Sequence, residues 1–309
     1  MSAPSVTVIV PCYNHEKYVV QCLESIDQQT HGELEVVILD DGSTDRTWKL
    51  IQGFRFGRGR DVKRIRSTNL GAHAQLNRGL ALARGQWIAL CNSDDFFAPT
   101  RIATMLEWCT RGKARFAFSG VRYVDPRGRD VSQTLAYALQ LGQRQTEVSQ
   151  FPSVGWSLIP TNVAISTGNF FFHRSLIEDV GYFRPYRLCH DWDFLLRTLL
   201  VTEPVMVPAP LYAYRVHPQN SFSSLLGQTA ALECPELMRR YWKAAMGSAP
   251  QNRLAPSPHH WPGYCEVFIE EFRYQPYLSG WENIDAPFYL PEAVDRPDQV
   301  KVIAHTDVG

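Results

Sequence analysis

From residue 6 to residue 91, short apolar runs alternate with segments whose apolar residues recur every three to four positions. The runs at 6–10, 36–39, 62–66 and 86–91 have the length and branched side chains of buried strands. Segments 16–28, 44–52 and 71–84 have helical spacing. In 16–28, Val19, Val20, Leu23 and Ile26 fall on one face, Ser43 or Thr44 caps the next helix, and Gly85 stops the third. Strands alternating with helices predict an α/β fold of the Rossmann-like kind, a mostly parallel sheet flanked by helices.

The alternation weakens after a predicted helix at 101–109. A strand is expected at 115–123, a turn at 125–128, and an irregular stretch, a loop or lid, at 132–160. Beyond it the pattern predicts a strand at 168–173, helices at 175–180 and 191–200, and two strands at 205–207 and 212–215. Residues 228–246 and 264–273 read as helices around a segment rich in Pro, Ser and His, and 276–309 has no period. The expected organisation is one domain over 1–224 and a C-terminal extension over 225–309, helical and then irregular.

Charge changes the picture mainly by exclusion. The 309 residues carry 31 Lys+Arg against 31 Asp+Glu, so the chain lacks the basic field that sequence-independent nucleic-acid binding requires. Seven cysteines are scattered without C-x-x-C spacing, the usage of reduced structural thiols. No apolar run reaches the ~18–20 residues that cross a bilayer, and no signal peptide is evident, so the expected location is the cytoplasm or the inner face of the membrane.

Candidate chemistry sits at two strand ends, where open α/β sheets bind ligands. The first is Asp40-Asp41-Gly42-Ser43-Thr44-Asp45. Adjacent carboxylates raise one another's pKa unless a cation or hydrogen-bond donor relieves them. Ser43, Thr44 and Asp45 also suit a helix N-terminus, and Gly42 stands where an aspartyl-phosphate phosphatase would need a second Asp. The second is Asn92-Ser93-Asp94-Asp95. Its paired carboxylates suit a hard divalent cation, Mg²⁺ or Mn²⁺, whose shell phosphate oxygens and water complete.

In order and spacing, Val8-Ile9-Val10-Pro11-Cys12-Tyr13-Asn14, Leu39-Asp40-Asp41-Gly42-Ser43-Thr44-Asp45, Asn69-Leu70-Gly71 and Asn92-Ser93-Asp94-Asp95 resemble family 2 glycosyltransferases of the GT-A fold. Gly168 to Arg174, Gly181-Tyr182-Phe183, His190-Asp191-Trp192-Asp193-Phe194, and Tyr214-Arg215 with His217 and Ser221 extend the resemblance to about residue 222. It implies a nucleotide-sugar donor half to about residue 110 and an acceptor half over 111–224. Pro11 and Tyr13 would frame a nucleobase. Asp41 would accept the N3–H of uracil or thymine, since a carboxylate can only accept. Asp94 would hold the ribose or adjoining metal shell, Arg78 would supply charge to the diphosphate, and Asp95 with His217 would bind the cation.

By the same resemblance Asp191 is the general base that deprotonates the acceptor hydroxyl, although an Asp there also suits a helix N-terminus. Asp193, roughly 200° further round a helix, would orient a neighbour or point to solvent. Trp192 and Trp156 are candidates for stacking on an acceptor sugar, and Phe170 to Phe172 read as core. Asn92, His190 and Leu76 depart from the family's usual Asp, Glu and Arg. The implied function is metal-dependent inverting transfer of a sugar from a UDP- or TDP-sugar to a hydroxyl of a carbohydrate or glycolipid, in cell-surface polysaccharide or glycoconjugate synthesis. A sugar nucleotidyltransferase and a non-catalytic nucleotide-sugar-binding module stand as alternatives.

Overall fold

The computed structural model describes residues 5–57, 59–218, 220 and 227–281. Eight strands form one sheet: β1 (Val6–Cys12), β2 (Leu34–Asp40), β3 (Arg60–Arg66), β4 (Trp87–Leu90), β5 (Phe96–Phe97), β6 (Phe116–Val124), β7 (Phe171–His173) and β8 (Val205–Arg215), in the order β3-β2-β1-β4-β7-β6-β8-β5. The first four run parallel, and β7 enters antiparallel between β4 and β6. β1 and β2 are buried almost throughout, as expected for strands covered on both faces. β3 is an edge strand whose Arg60, Asp61, Lys63, Arg64 and Arg66 deter further pairing. Those charges are why the apolar pattern begins two residues late, at Val62.

Helices α1 (Val19–Asp27), α2 (Thr47–Gly53) and α3 (Ala72–Leu82) connect the parallel strands, and α4 (Arg101–Gly112) precedes β6. No Ser43 or Thr44 side chain caps α2; its Thr47 N–H bonds the Asp45 carboxylate at 2.9 Å instead. The stretch 132–160 is not a loop. It holds α5 (Ala136–Thr146) and the single turn α6 (Val154–Ser157). One of the two buried residues of α5 is Gln145, whose carboxamide bonds Val121 N–H at 3.1 Å and the Val163 carbonyl at 2.8 Å. A helix that buries a glutamine leaves little apolar period to detect. Similarly, β8 is one strand where two were expected, because a bulge opposite Ser119 to Val121 absorbs Pro208 and Pro210.

The second half adds α7 (Leu176–Val180), α8 (His190–Leu199), α9 (Gln228–Gly247) and α10 (Tyr264–Glu271). Leu237, Met238, Tyr241 and Trp242 of α9 and Phe268 of α10 join Trp156, Phe170, Phe172 and Phe194 in one buried cluster that reaches Ile9 and Leu39 of the parallel sheet. The helical part of the C-terminal region therefore shares its core with residues before 224. Most of the Pro-punctuated stretch, 282–309, lies outside the described residues. Among the described residues no helix is long and apolar enough to cross a membrane.

Candidate active site

Because β1, β2 and β4 are parallel, their C-terminal ends open on one edge of the sheet. That edge gathers residues 11–15, 40–45 and 92–95. Most of the first acid pair's acceptor capacity is taken up inside the protein, although the buried Asp40 Oδ2 has no hydrogen-bond partner among the described residues. Asp40 lies 3.2 Å from the Arg66 guanidinium and accepts the Ser43 N–H at 3.2 Å. Asp41 is buried and accepts from Leu70 N–H at 2.7 Å, Gly71 N–H at 2.9 Å and the Gln75 carboxamide at 2.6 Å. Gly71, at φ 89°, begins α3, so Asp41 fixes that helix's origin. Pro11 is half-buried, while the Tyr13 ring is 44% exposed at the rim. Half-buried Arg78 on α3 is depressed from its ordinary pKa by burial, and it has no carboxylate partner among the described residues.

The second acid pair divides its work. Asp94 Oδ2 lies 3.0 Å from His217 Nε2 and 3.7 Å from His15 Nε2. The other nitrogen of His15, Nδ1, is 2.7 Å from Ser93 Oγ, which leaves Nε2 to face Asp94. His15, Asp94 and His217 offer three ligand atoms within 4.8 Å of one another. Asp95, by contrast, is 1% exposed and turned into the sheet, where it accepts the Arg215 N–H at 2.8 Å, the Tyr212 hydroxyl, and the Asn92 carboxamide at 3.3 Å. Asp95 and His217, expected together at the cation, do not face one another: the carboxylate facing His217 is that of Asp94. Burial works to raise the Asp94 pKa, but His15 and His217 outweigh it and hold the group below the ordinary range. Burial, and then the Asp94 charge, push Asp95 well above it.

Gly168 passes against this pair so closely that a Cβ would fall on the Tyr212 hydroxyl and the Asn92 amide. Arg215 closes the site from behind, donating to the Asp94 carbonyl at 2.7 Å while its guanidinium lies over the Tyr18 ring. Ser221 falls outside the described residues.

Asp191 stands at the second position of α8. Its Oδ1 accepts the Trp192 N–H at 2.6 Å and its Oδ2 the Asn162 carboxamide at 3.2 Å. Burial outweighs these bonds and raises its pKa to about 7, the range in which a general base serves best at neutral pH. Neighbouring His190 is driven down to about 4 by burial and is neutral there. Asp193 does not point to solvent: it is 1% exposed and pairs with Arg184 at 3.0 Å and Arg197 at 2.8 Å.

Of the two tryptophans expected to stack on a sugar, Trp156 is fully buried among Trp261, Tyr264 and Phe268, so no ligand reaches its ring. Trp192 is half-buried, with its indole N–H bonded to the Leu158 carbonyl at 2.8 Å. His15, Asn162, Tyr212 and Arg215 are the site residues that no expectation assigned these contacts. Only His15 had a local signal, a side chain able to bind metal at a polar strand end.

Comparison with known proteins places this geometry. Residues 7–181 match the family described as glycosyl transferase family 2. An uncharacterized glycosyltransferase of Nostoc sp., alr2836, is 24% identical over 230 residues, 74% of this chain and 70% of that protein. Among solved structures, Staphylococcus aureus TarS 1-349 in complex with UDP-GlcNAc is similar at TM-score 0.65 and 20% identity, over 94% of this chain and 77% of that one. The mannosyltransferase PcManGT from Pyrobaculum calidifontis, in complex with GDP-Man and Mn²⁺, gives TM-score 0.57 and 19% identity over 89% and 78%. These likenesses show a GT-A fold, a curled, mostly parallel sheet flanked by helices. With strand-end motifs, sheet topology and family match in agreement, the chain belongs to glycosyl transferase family 2 and is a glycosyltransferase.

Proposed function

We propose that the protein transfers a sugar, with inversion, from a nucleoside-diphosphate donor to an acceptor hydroxyl, with Asp191 as general base. The observation that carries this reading is the contrast between two carboxylates. Asp94 is kept ionised beside two imidazoles, and Asp191 is lifted to about 7, chiefly by burial. The first suits charge binding and the second proton transfer. Asp191 takes the proton of the acceptor hydroxyl as that oxygen attacks the anomeric carbon. The bond to the diphosphate breaks on the opposite face, and its electron pair leaves with the diphosphate. Holding acceptor and donor in line supplies much of the remaining acceleration.

The donor set also fits a divalent cation. His15, Asp94 and His217 would hold it, and two imidazole nitrogens with one carboxylate suit Mn²⁺ better than Mg²⁺. Bound there, such an ion would supply Lewis-acid charge to the diphosphate. Arg78 is a second cation for the same group, and Pro11, Tyr13 and Asp41 border the expected nucleobase position. UDP- and TDP-sugars are the proposed donors and a carbohydrate or glycolipid the acceptor; the UDP-GlcNAc complex of TarS is consistent with the donor, and the Mn²⁺ in the GDP-Man complex of PcManGT with the cation.

Thermal-shift titration with UDP and TDP, with and without Mn²⁺, tests donor and metal together. Ligand at about 100 times its Kd stabilises by about 2.7 kcal/mol, and no shift with either nucleotide in Mn²⁺ rejects the assignment. Asp191→Asn is expected to keep the shift and lose transfer. In the parent enzyme, kcat/KM should rise with pH through about 7, because the base works only when ionised.

A further inference from the structure

Glu233, on α9, makes a contact that the catalytic reading does not use. Its Oε1 accepts the Arg187 N–H at 2.7 Å, and its Oε2 accepts the N–H groups of Leu188 and Cys189, each at 2.9 Å. Those three residues run directly into α8, whose second residue is Asp191; the N-cap residue Cys189 makes no side-chain cap bond, while Asp191's own Oδ1 takes the Trp192 N–H of the first turn. The first N–H groups of a helix lack intrahelical partners, and its N-terminus favours negative charge. A carboxylate brought from a distant helix takes the N–H groups of the segment that leads into α8 and sets a negative charge beside that helix's N-terminus.

We propose that Glu233 is the positioning residue of the transfer reaction: its carboxylate clamps residues 187–189 and thereby fixes Asp191 toward the acceptor. This rests on Asp191 being the base. The clamp has an electrostatic side as well. Desolvation is the main cause of the raised Asp191 pKa, and the Glu233 charge adds to it. Among the described residues, the other groups facing Asp191 are the Asn162 carboxamide, the Cys189 and Cys234 thiols, and the His190 ring beside it. Burial holds His190 neutral, and the Cys189 thiol is pushed far above its ordinary value by its bond to Cys234 and by burial. Cys234 is lowered by that same bond. Glu233 is therefore the carboxylate that acts on the base from α9.

Glu233→Gln keeps the shape, removes the charge and sets an amide N–H₂ against backbone donors. Glu233→Asp keeps the charge with a shorter reach. In the full-length enzyme, Glu233→Gln is expected to lower kcat by about tenfold to a hundredfold with the donor KM unchanged. Its acid limb in the pH profile of kcat/KM should move to lower pH, since removing a nearby negative charge lets Asp191 ionise more readily. Glu233→Asp should keep the limb at the parental pH. A limb that stays put in Glu233→Gln, whatever happens to kcat, overturns the proposal. So does loss of the nucleotide-induced thermal shift in both variants, which would mark Glu233 as a folding residue only. Asp191→Asn separates the two readings. If it still transfers, the base assignment falls and this proposal with it. If it is inactive while Glu233→Gln matches the parent, the positioning role alone falls.

Discussion

Asp94 and Asp95 are neighbours in sequence and opposites in environment. Both leave β4 at the ligand edge, yet one turns to two histidines and the other to the N–H of Arg215 and the hydroxyl of Tyr212. Two carboxylates in contact do not both ionise freely, so the pair divides into a charged member and a member driven toward its neutral form. The two substitutions should differ in kind. Asp94→Asn is expected to lose the Mn²⁺ dependence of nucleotide binding at least tenfold, about 1.4 kcal/mol, with little effect on melting. Asp95→Asn should keep metal-dependent binding, though weakened, because an amide still fills the site between Arg215 and Tyr212. Isothermal titration of UDP with and without Mn²⁺ checks both, and equal metal dependence in the two variants would contradict the division.

At the scale of elements, the parallel half is tied together by a buried acid that has no part in the chemistry. Glu35 of β2 accepts from Thr7 of β1 at 2.6 Å, Lys63 of β3 at 2.8 Å and the Arg84 side chain at 2.7 Å, so one carboxylate joins three adjacent strands. Burial opposes its ionisation, but these bonds win and bring its pKa from 4.5 to about 2. A group so depressed contributes its full stabilisation above the unfolded-state value and loses it as pH falls through the folded one. At about 1.4 kcal/mol per pH unit, a fall from 4.5 to about 2 is worth about 3 kcal/mol. Urea midpoints measured between pH 5 and pH 2 should therefore fall more steeply in the parent than in Glu35→Gln. The sequence showed β2 as an apolar run over 36–39 and missed this residue, because a buried ion pair interrupts the pattern that marks a buried strand.

Over the whole molecule, one continuous core joins the sheet, the base-bearing helix α8 and the C-terminal helices. Trp156 stands within it, wholly buried against residues of α10 and of the segment before it. Trp156→Ala is thus a stability variant, expected to cost about 3–5 kcal/mol in urea unfolding and to leave the acceptor KM of the folded fraction unchanged. The amino-acid sequence by itself determined the alternation of strands and helices, the two polar strand ends and the family motifs, because each is written in contiguous residues. It did not determine which carboxylate of Asp94 and Asp95 faces the histidines, since the two share one local pattern and are told apart by β8, whose sheet partners lie far away in the chain. Nor did it show that Trp156 is core, that Asp41 anchors α3, or that Glu233 reaches back to α8. Burial and long-range hydrogen bonds are properties of the packed chain, and only the tertiary structure decided them.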